Sequence, residues 1–322
     1  MEHIIENTLK ALQDNPEWRL RYDGYLNDIW KNKNKYKRNF RKPRGLSLYT
    51  TIGDRNKLIY YLRFKGQNVG RIKVKGDNIY LKSLVRESSS HDIKDCPLHW
   101  RLKEVEWNSY IARKFRSFFN KLSINTKTKS PEHFVENSLL QEFAKKDSSI
   151  KALKNIQPVC LHDCFFQMPT PFQASLHKPK YVKQSGGGID ILARFKNTDG
   201  SNRLCVMEIK DENKPSESQK DAMSQAIIYA TFIAQLIEHN PEWLEIFAGH
   251  EEKKDSTALD SKNIEVATVL PKGNTETFEN QILPIPGTNI KLHCHSMYYD
   301  LDEFNNKGNF IFSGSLIDEI KQ

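Results

Sequence analysis

No stretch of this 322-residue chain holds the roughly 20 consecutive apolar residues needed to cross a bilayer, so no membrane-spanning helix is expected. The opening residues, MEHIIENTLKALQDN, lack a basic segment followed by an apolar run, and no secretory signal is read there. Cysteine is scarce: five residues, an odd set, argue against a disulfide scaffold and for reduced thiols in a cytoplasmic compartment. No G-x-x-x-x-G-K-[ST] occurs, which excludes a built-in phosphate loop of the ATP-driven motor type. The glycine run Gly186-Gly187-Gly188 lacks the strand–turn–helix context of a dinucleotide site. No spacing marks a Ser/His/Asp triad. Acid is sparse in one half only. Residues 1–130 carry 29 Lys+Arg against 13 Asp+Glu, a balance of +16, whereas the remainder carries 20 against 27, a balance of −7. That split predicts a basic module that meets a polyanion, joined to a more acidic one.

What is present supports a packed protein, since hydrophobic residues make up 38% and aromatics 11%. In the first half, Ile4 to Leu12 has helical spacing and stops at Asn15-Pro16. Eight basic residues and no acid follow between Lys31 and Arg44, namely Lys31, Lys33, Lys35, Lys37, Arg38, Arg41, Lys42 and Arg44, with Tyr36 and Phe40 interleaved. Such a run is either a solvated arm or a phosphate-contacting segment with rings for stacking on bases. Next come KLIYYLRFK, VGRIKVK and NIYLK, separated by GQN and GD, a pattern that predicts a β-meander. Alternation places Ile72 and Val74 on one face and Arg71, Lys73 and Lys75 on the other. A helix is expected from about Lys103 to Leu122, with Ile111, Phe115, Phe118 and Leu122 in one stripe. These elements make residues 1–128 a basic α+β module.

The second module is expected to span 129–322. Ser130-Pro131-Glu132-His133 reads as a capped helix start, and that helix should turn Phe134, Leu139 or Leu140, and Phe143 inward. GIDILARF and RLCVMEIK are strands joined by NTDGSN, Ser216 to His239 is a long helix, and IEVATVLP and IKLHCHSMYY are further strands. The fold class that follows is α/β, a mixed central sheet flanked by helices. NPEW occurs at Asn15–Trp18 and Asn240–Trp243 with unrelated flanks, which reads as reused turn chemistry rather than a repeat.

The chemistry concentrates around those strands. Asp190 sits among Ile189, Ile191 and Leu192, where a buried carboxylate costs several kcal/mol unless something compensates it. Glu208 and Lys210, two apart on a strand, share a face. Placed beside Asp190, they would join two carboxylates and the Ile209 carbonyl, all hard oxygen donors of the kind Mg²⁺ takes, to an amine that can orient or deprotonate water. An ordinary cross-strand ion pair is the competing account of E-x-K. Gln225 and Tyr229 share a helix face, and Glu136 is the acid chosen from the preceding helix, with Glu132 and Glu142 as competitors. Cys160, Cys164, His293, Cys294 and His295 invite a zinc reading, but His293 and Cys294 alternate faces on a strand, and buried thiols with a histidine pair are the preferred account.

The ordered set of Glu136 on a helix, Asp190 on a strand, Glu208-Ile209-Lys210 ending the next strand and Gln225-x-x-x-Tyr229 on a helix resembles the PD-(D/E)XK, or restriction-endonuclease-like, nuclease superfamily, and its last element resembles the RecB-type branch. The resemblance covers about residues 130–300; Gly188-Ile189-Asp190 stands where the family often has Pro-Asp. It implies a restriction-endonuclease-like core that hydrolyses phosphodiester bonds with Mg²⁺ or Mn²⁺. Asp190, Glu208 and Ile209 would hold the metal, Lys210 would help activate water, Glu136 would join through a second ion or a water, and Gln225 and Tyr229 would position substrate. DNA is the expected partner, preferred to RNA by resemblance alone. A second copy or a partner subunit stays open, as does the alternative of a non-catalytic or partner-activated nucleic-acid-binding protein on the same fold.

Overall fold

A computed structural model describes residues 1–36, 45–53, 57–76, 78–85, 104–122, 131–144, 155–173, 178–183, 186–197, 200–210, 218–249, 258–273, 279–300 and 312–321. The order is α1 (Glu2–Gln13), α2 (Glu17–Tyr36), β1 (Ser47–Gly53), β2 (Lys57–Phe64), β3 (Gln67–Lys75), β4 (Asn78–Ser83), β5 (Val105–Glu106), α3 (Tyr110–Lys121) and α4 (Pro131–Phe143). Then come β6 (Ile156–Pro158), β7 (Cys160–Leu161), β8 (Cys164–Phe166), β9 (Ile191–Lys196), β10 (Asn202–Ile209), α5 (Gln219–His239) and α6 (Glu242–Ala248). The described chain ends with β11 (Leu259–Pro271), β12 (Gln281–Pro284), β13 (Lys291–Tyr299), β14 (Phe312–Ser313) and Ser315–Lys321, here α7. Two sheets with helices on them make a mixed α/β protein. Among the described residues no helix is long and apolar enough to cross a membrane.

The chain forms two compact units. One comprises Tyr25–Gln141 and Cys160–Phe166; the other comprises Met1–Gly24, Glu142–Val159 and Gln167–Gln322. This division interleaves, unlike the single cut expected near residue 128, and each excursion has a local cause.

In the first unit the meander forms as the alternation predicts. Its strands lie in the order β5-β4-β3-β2-β1-β8-β7, antiparallel from β5 to β1. The hairpin Cys160–Phe166 adds β8 parallel to β1, pairing Tyr49 with Phe165, which draws these residues away from the rest of the second half. One face buries Leu48, Tyr60, Leu62, Ile72 and Leu81 under Ala112, Phe115 and Phe119 of α3. Of the expected stripe, Phe115 is buried and Phe118 and Leu122 pack partly buried against this cluster, while Ala112 takes the place expected for Ile111. Ser109 caps the helix by accepting the Ala112 N–H at 3.2 Å, so the helix begins at Tyr110 and leaves Ile111 42% exposed. In α4, Val135, Leu139, Leu140 and Phe143 are buried while Phe134 is only half-buried; the expected cap Ser130 lies outside the described residues.

The β2–β3 turn is built on Lys65 and Gly66, both left-handed at φ 47° and 80°. A Cβ at Gly66 would stand 2.0 Å from the His133 carbonyl oxygen. Gly66→Ala is therefore expected to destabilise the protein by about 2 kcal/mol or more, from left-handed strain plus a clash with backbone. Urea unfolding read by intrinsic fluorescence checks this, and an unchanged midpoint would sink the account.

The second unit carries a sheet in the order β12-β13-β11-β10-β9-β6. β10, β11 and β13 run parallel, and β9, β12 and β6 are antiparallel to their neighbours. α5 packs on β10 and β11 on one side and on α1 on the other. Its sequence, AIIYATFIAQLI, is apolar all round, so it needs cover on two sides. The stripe Ile4, Ile5 and Leu12 of α1 supplies it, and Trp18 and Tyr22 meet Phe232 at ring-centroid distances of 5.8 and 4.8 Å. Residues 1–24 therefore count with this unit. Both NPEW copies open helices, with Trp18 N–H donating to Asn15 O and Trp243 N–H to Asn240 O.

Candidate active site

The site is assembled where the β9–β10 ladder ends. The last antiparallel pair is Met207 with Ile191, so the next register position sets Glu208 opposite Asp190 on one face. Asp190 stands one residue before β9, and its Oδ2 accepts the Ile209 N–H at 2.9 Å, replacing the next ladder carbonyl. The glycines before it admit backbone. A Cβ on Gly186 would lie 2.2 Å from the Phe172 carbonyl oxygen, and Gly186 and Gly187 exchange hydrogen bonds with Thr170 and Phe172.

Lys210 follows β10 and is held by its main chain. Its N–H donates to the Val269 carbonyl at 3.0 Å, and its carbonyl accepts from the Tyr299 hydroxyl at 3.0 Å. Its Nζ reaches Glu208 Oε1 at 2.9 Å and Gln225 Oε1 at 3.2 Å, and Gln225 Nε2 donates to the Tyr229 hydroxyl at 3.1 Å. Glu208, Lys210, Gln225 and Tyr229 are all buried, and Asp190 is half-buried. Gln225 and Tyr229 meet because they are four apart on α5, whose first turn is fixed by the Ser218 hydroxyl accepting the Asp221 N–H at 3.1 Å. Burial pushes the Tyr229 hydroxyl far above its ordinary pKa, the Glu208 and Asp190 charges add to this, and the Gln225 hydrogen bond opposes it. Tyr229 accordingly stays protonated. Five sequence-chosen residues from three elements thus form one cluster.

Two contributors were not chosen from the sequence. Tyr299 ties β13 to the end of β10. Thr268 lies in register with Glu208 on the parallel neighbour β11, and its buried hydroxyl has no hydrogen-bond partner among the described residues. Their only sequence signal was a polar group inside an apolar strand.

Glu136 belongs to the first unit. There it is buried, with its carboxylate 3.2 Å from Arg63 Nη1 and 3.3 Å from His133 Nδ1. The same guanidinium stacks 4.0 Å from the Tyr49 ring. Glu136 is compensated inside a structural network. The helix stop expected at Asn15-Pro16 is where α1 ends, and of the chosen basic residues Lys31 is exposed on the separate helix α2, which runs through Lys33, Lys35 and Tyr36. The side chains of Lys33, Lys35 and Tyr36, and all of Lys37, Arg38, Arg41, Lys42 and Arg44, lie outside the described residues. Arg71, Lys73 and Lys75 take the outward face of β3.

Among the described residues no three His, Cys, Asp or Glu side chains converge to hold a metal. His293 bonds Asn263 and His295 bonds Glu265, while Cys294 is buried. The donor set at the end of β10 is different in kind: two carboxylates, the Ile209 carbonyl and, in register with Glu208, the buried Thr268 hydroxyl. Hard oxygen donors of this type, completed by water, suit Mg²⁺ or Mn²⁺. Comparisons with family models, curated proteins and solved structures return no match for this chain.

Proposed function

We propose that the protein is a divalent-metal-dependent nuclease of restriction-endonuclease-like architecture that hydrolyses DNA phosphodiester bonds through Asp190, Glu208 and Lys210. One observation carries this reading: the buried chain of contacts Glu208–Lys210–Gln225–Tyr229 beside Asp190, at the edge where a β-ladder stops. An ion pair this buried is poor at stabilising a fold, and buried clusters of ionisable groups are candidates for functional sites. Mg²⁺ or Mn²⁺ held by Asp190, Glu208 and the Ile209 carbonyl would supply Lewis acidity toward a phosphate oxygen and an acidified water. Lys210, an ammonium donor beside the carboxylate pair, would orient the attacking water and stabilise charge developing on phosphate, while the water's proton passes to solvent. Gln225 orients the Lys210 amine, and protonated Tyr229 orients Gln225. Glu136, occupied by Arg63 and His133, is left out of the chemistry.

A second reading keeps the fold and omits turnover. The direct Lys210–Glu208 bond favours it, since that bond takes up a carboxylate oxygen. Circular and linear, single- and double-stranded DNA incubated with Mg²⁺, Mn²⁺ or EDTA separates the two. Nuclease action requires metal-dependent cutting that Asp190→Ala abolishes. Full DNA binding without cutting in any metal would select the second reading.

A further inference from the structure

The face of the first unit's sheet opposite α3 is basic and aromatic. Antiparallel partners share a face, so Tyr61, Arg71 and Lys82 form one row across β2, β3 and β4, and Lys73 with Tyr80 forms the next. Lys75 and Lys82 are exposed, and Tyr61, Arg71, Lys73 and Tyr80 are half-buried. Lys75 Nζ stands 5.1 Å from the Tyr80 ring centroid. The Nε of Arg71 is a buried donor with no hydrogen-bond partner among the described residues. Two ammonium groups converge on one carboxylate: Glu104 binds Lys73 through Oε1 and Lys75 through Oε2, the latter at 2.6 Å. Those hydrogen bonds, Lys73 first, hold the Glu104 carboxyl down at about 2.

We propose that this face is a docking platform for single-stranded nucleic acid, in which the Glu104 carboxylate occupies a phosphate position that the bound strand takes over.

Three physical arguments lead there. Charge complementarity selects a polyanion, since this unit has 26 Lys+Arg against 11 Asp+Glu, a balance of +15. Two lysines bridging two oxygens of one anion is what a phosphate offers, and Glu104 supplies the same pair of oxygens from the chain itself. The rings decide between single and double strand. Tyr61 and Tyr80 stack on a base only when its faces are free, which excludes paired bases. The platform rests on the nucleic-acid part of the proposed function and not on turnover.

The full chain, titrated in EDTA into a labelled thymidine oligomer of about 16 nucleotides and into its duplex with an adenine complement, tests it by anisotropy. Tyr80→Ala should weaken single-strand binding about five-fold or more and leave duplex binding within two-fold. Glu104→Gln should tighten single-strand binding several-fold and steepen its salt dependence by one to two counterions, because two lysines are released to phosphate. Thermal melts confirm that both variants fold. Single-strand affinity indifferent to both substitutions would overturn the platform, as would equal loss on the duplex, or polyglutamate competing as well as the oligomer. EDTA silences cutting, so failure of the nuclease reading appears separately, as absent cleavage when metal is restored.

Discussion

A Lys210→Met variant is expected, on the proposed function, to lose metal-dependent cleavage by about 10²–10³-fold, the usual loss when one donor that stabilises transition-state charge is removed. It should also unfold about 3–5 kcal/mol more easily. The second effect follows from burial: Glu208 and Lys210 are 2% and 6% exposed, so removing the amine strands a carboxylate in a low-dielectric site. A Glu208→Gln/Lys210→Met double variant removes both charges and replaces them with groups of similar volume. Its stability should return to within about 1 kcal/mol of the parent, because a buried pair contributes little net stability over neutral groups that pack as well. Its cleavage should stay absent. Denaturant midpoints and a plasmid-nicking assay on the same preparations read the two quantities. A pair kept for structure alone predicts a different outcome, in which the double variant loses stability and retains whatever activity the parent has.

Much of this cluster was legible because its members are set by local geometry. Glu208 and Lys210 follow from a period of two on one strand, Gln225 and Tyr229 from a period of four on one helix, and Asp190 from a charge inside an apolar run. The order of these pieces along the chain then supplied their juxtaposition. Thr268 and Tyr299 were not legible, since their place depends on the register of β11 and β13 against β10, which is fixed only after α5 has crossed over. Glu136 illustrates the opposite failure. Its neighbours place it near the apolar boundary of its helix, but its partner Arg63 lies 73 residues away and no local pattern announces it.

The meander and the mixed sheet followed from alternation, whereas the division into units did not. An amphipathic stripe states that α1 has a partner without naming it, and α5, apolar on every side, supplied the need only once folded against its sheet. Likewise the hairpin Cys160–Phe166 is too short to show which sheet edge it extends. The charge asymmetry survives the regrouping, because residues 1–24 carry only 3 Lys+Arg and 5 Asp+Glu.

Removal of the Glu265 carboxylate should be among the most destabilising single changes in the second unit. Glu265 is fully buried on β11, with Arg203 Nη1 from β10 at 2.8 Å and His295 Nε2 from β13 at 2.7 Å. Three parallel strands are thereby tied on one face by a single anion. Burial alone would raise its pKa, but the His295 hydrogen bond and charge, followed by the Arg203 bond, outweigh this and leave the carboxyl below its ordinary 4.5. The folded value lies under the unfolded one, so the stabilisation is complete above about pH 4.5 and is lost as pH falls through the folded pKa. Glu265→Leu removes the closer and more buried of the two carboxylates at the Arg203 guanidinium, leaving Asp260 at 3.8 Å, and is expected to cost about 3 kcal/mol at neutral pH. The penalty should shrink as acid protonates the parent's own carboxyl, so the two stability curves converge below pH 4.5. Urea midpoints of parent and variant from neutral to acid pH measure this. Parallel curves would mean that the carboxylate is not charged in the folded protein, and that the strands are held by packing alone.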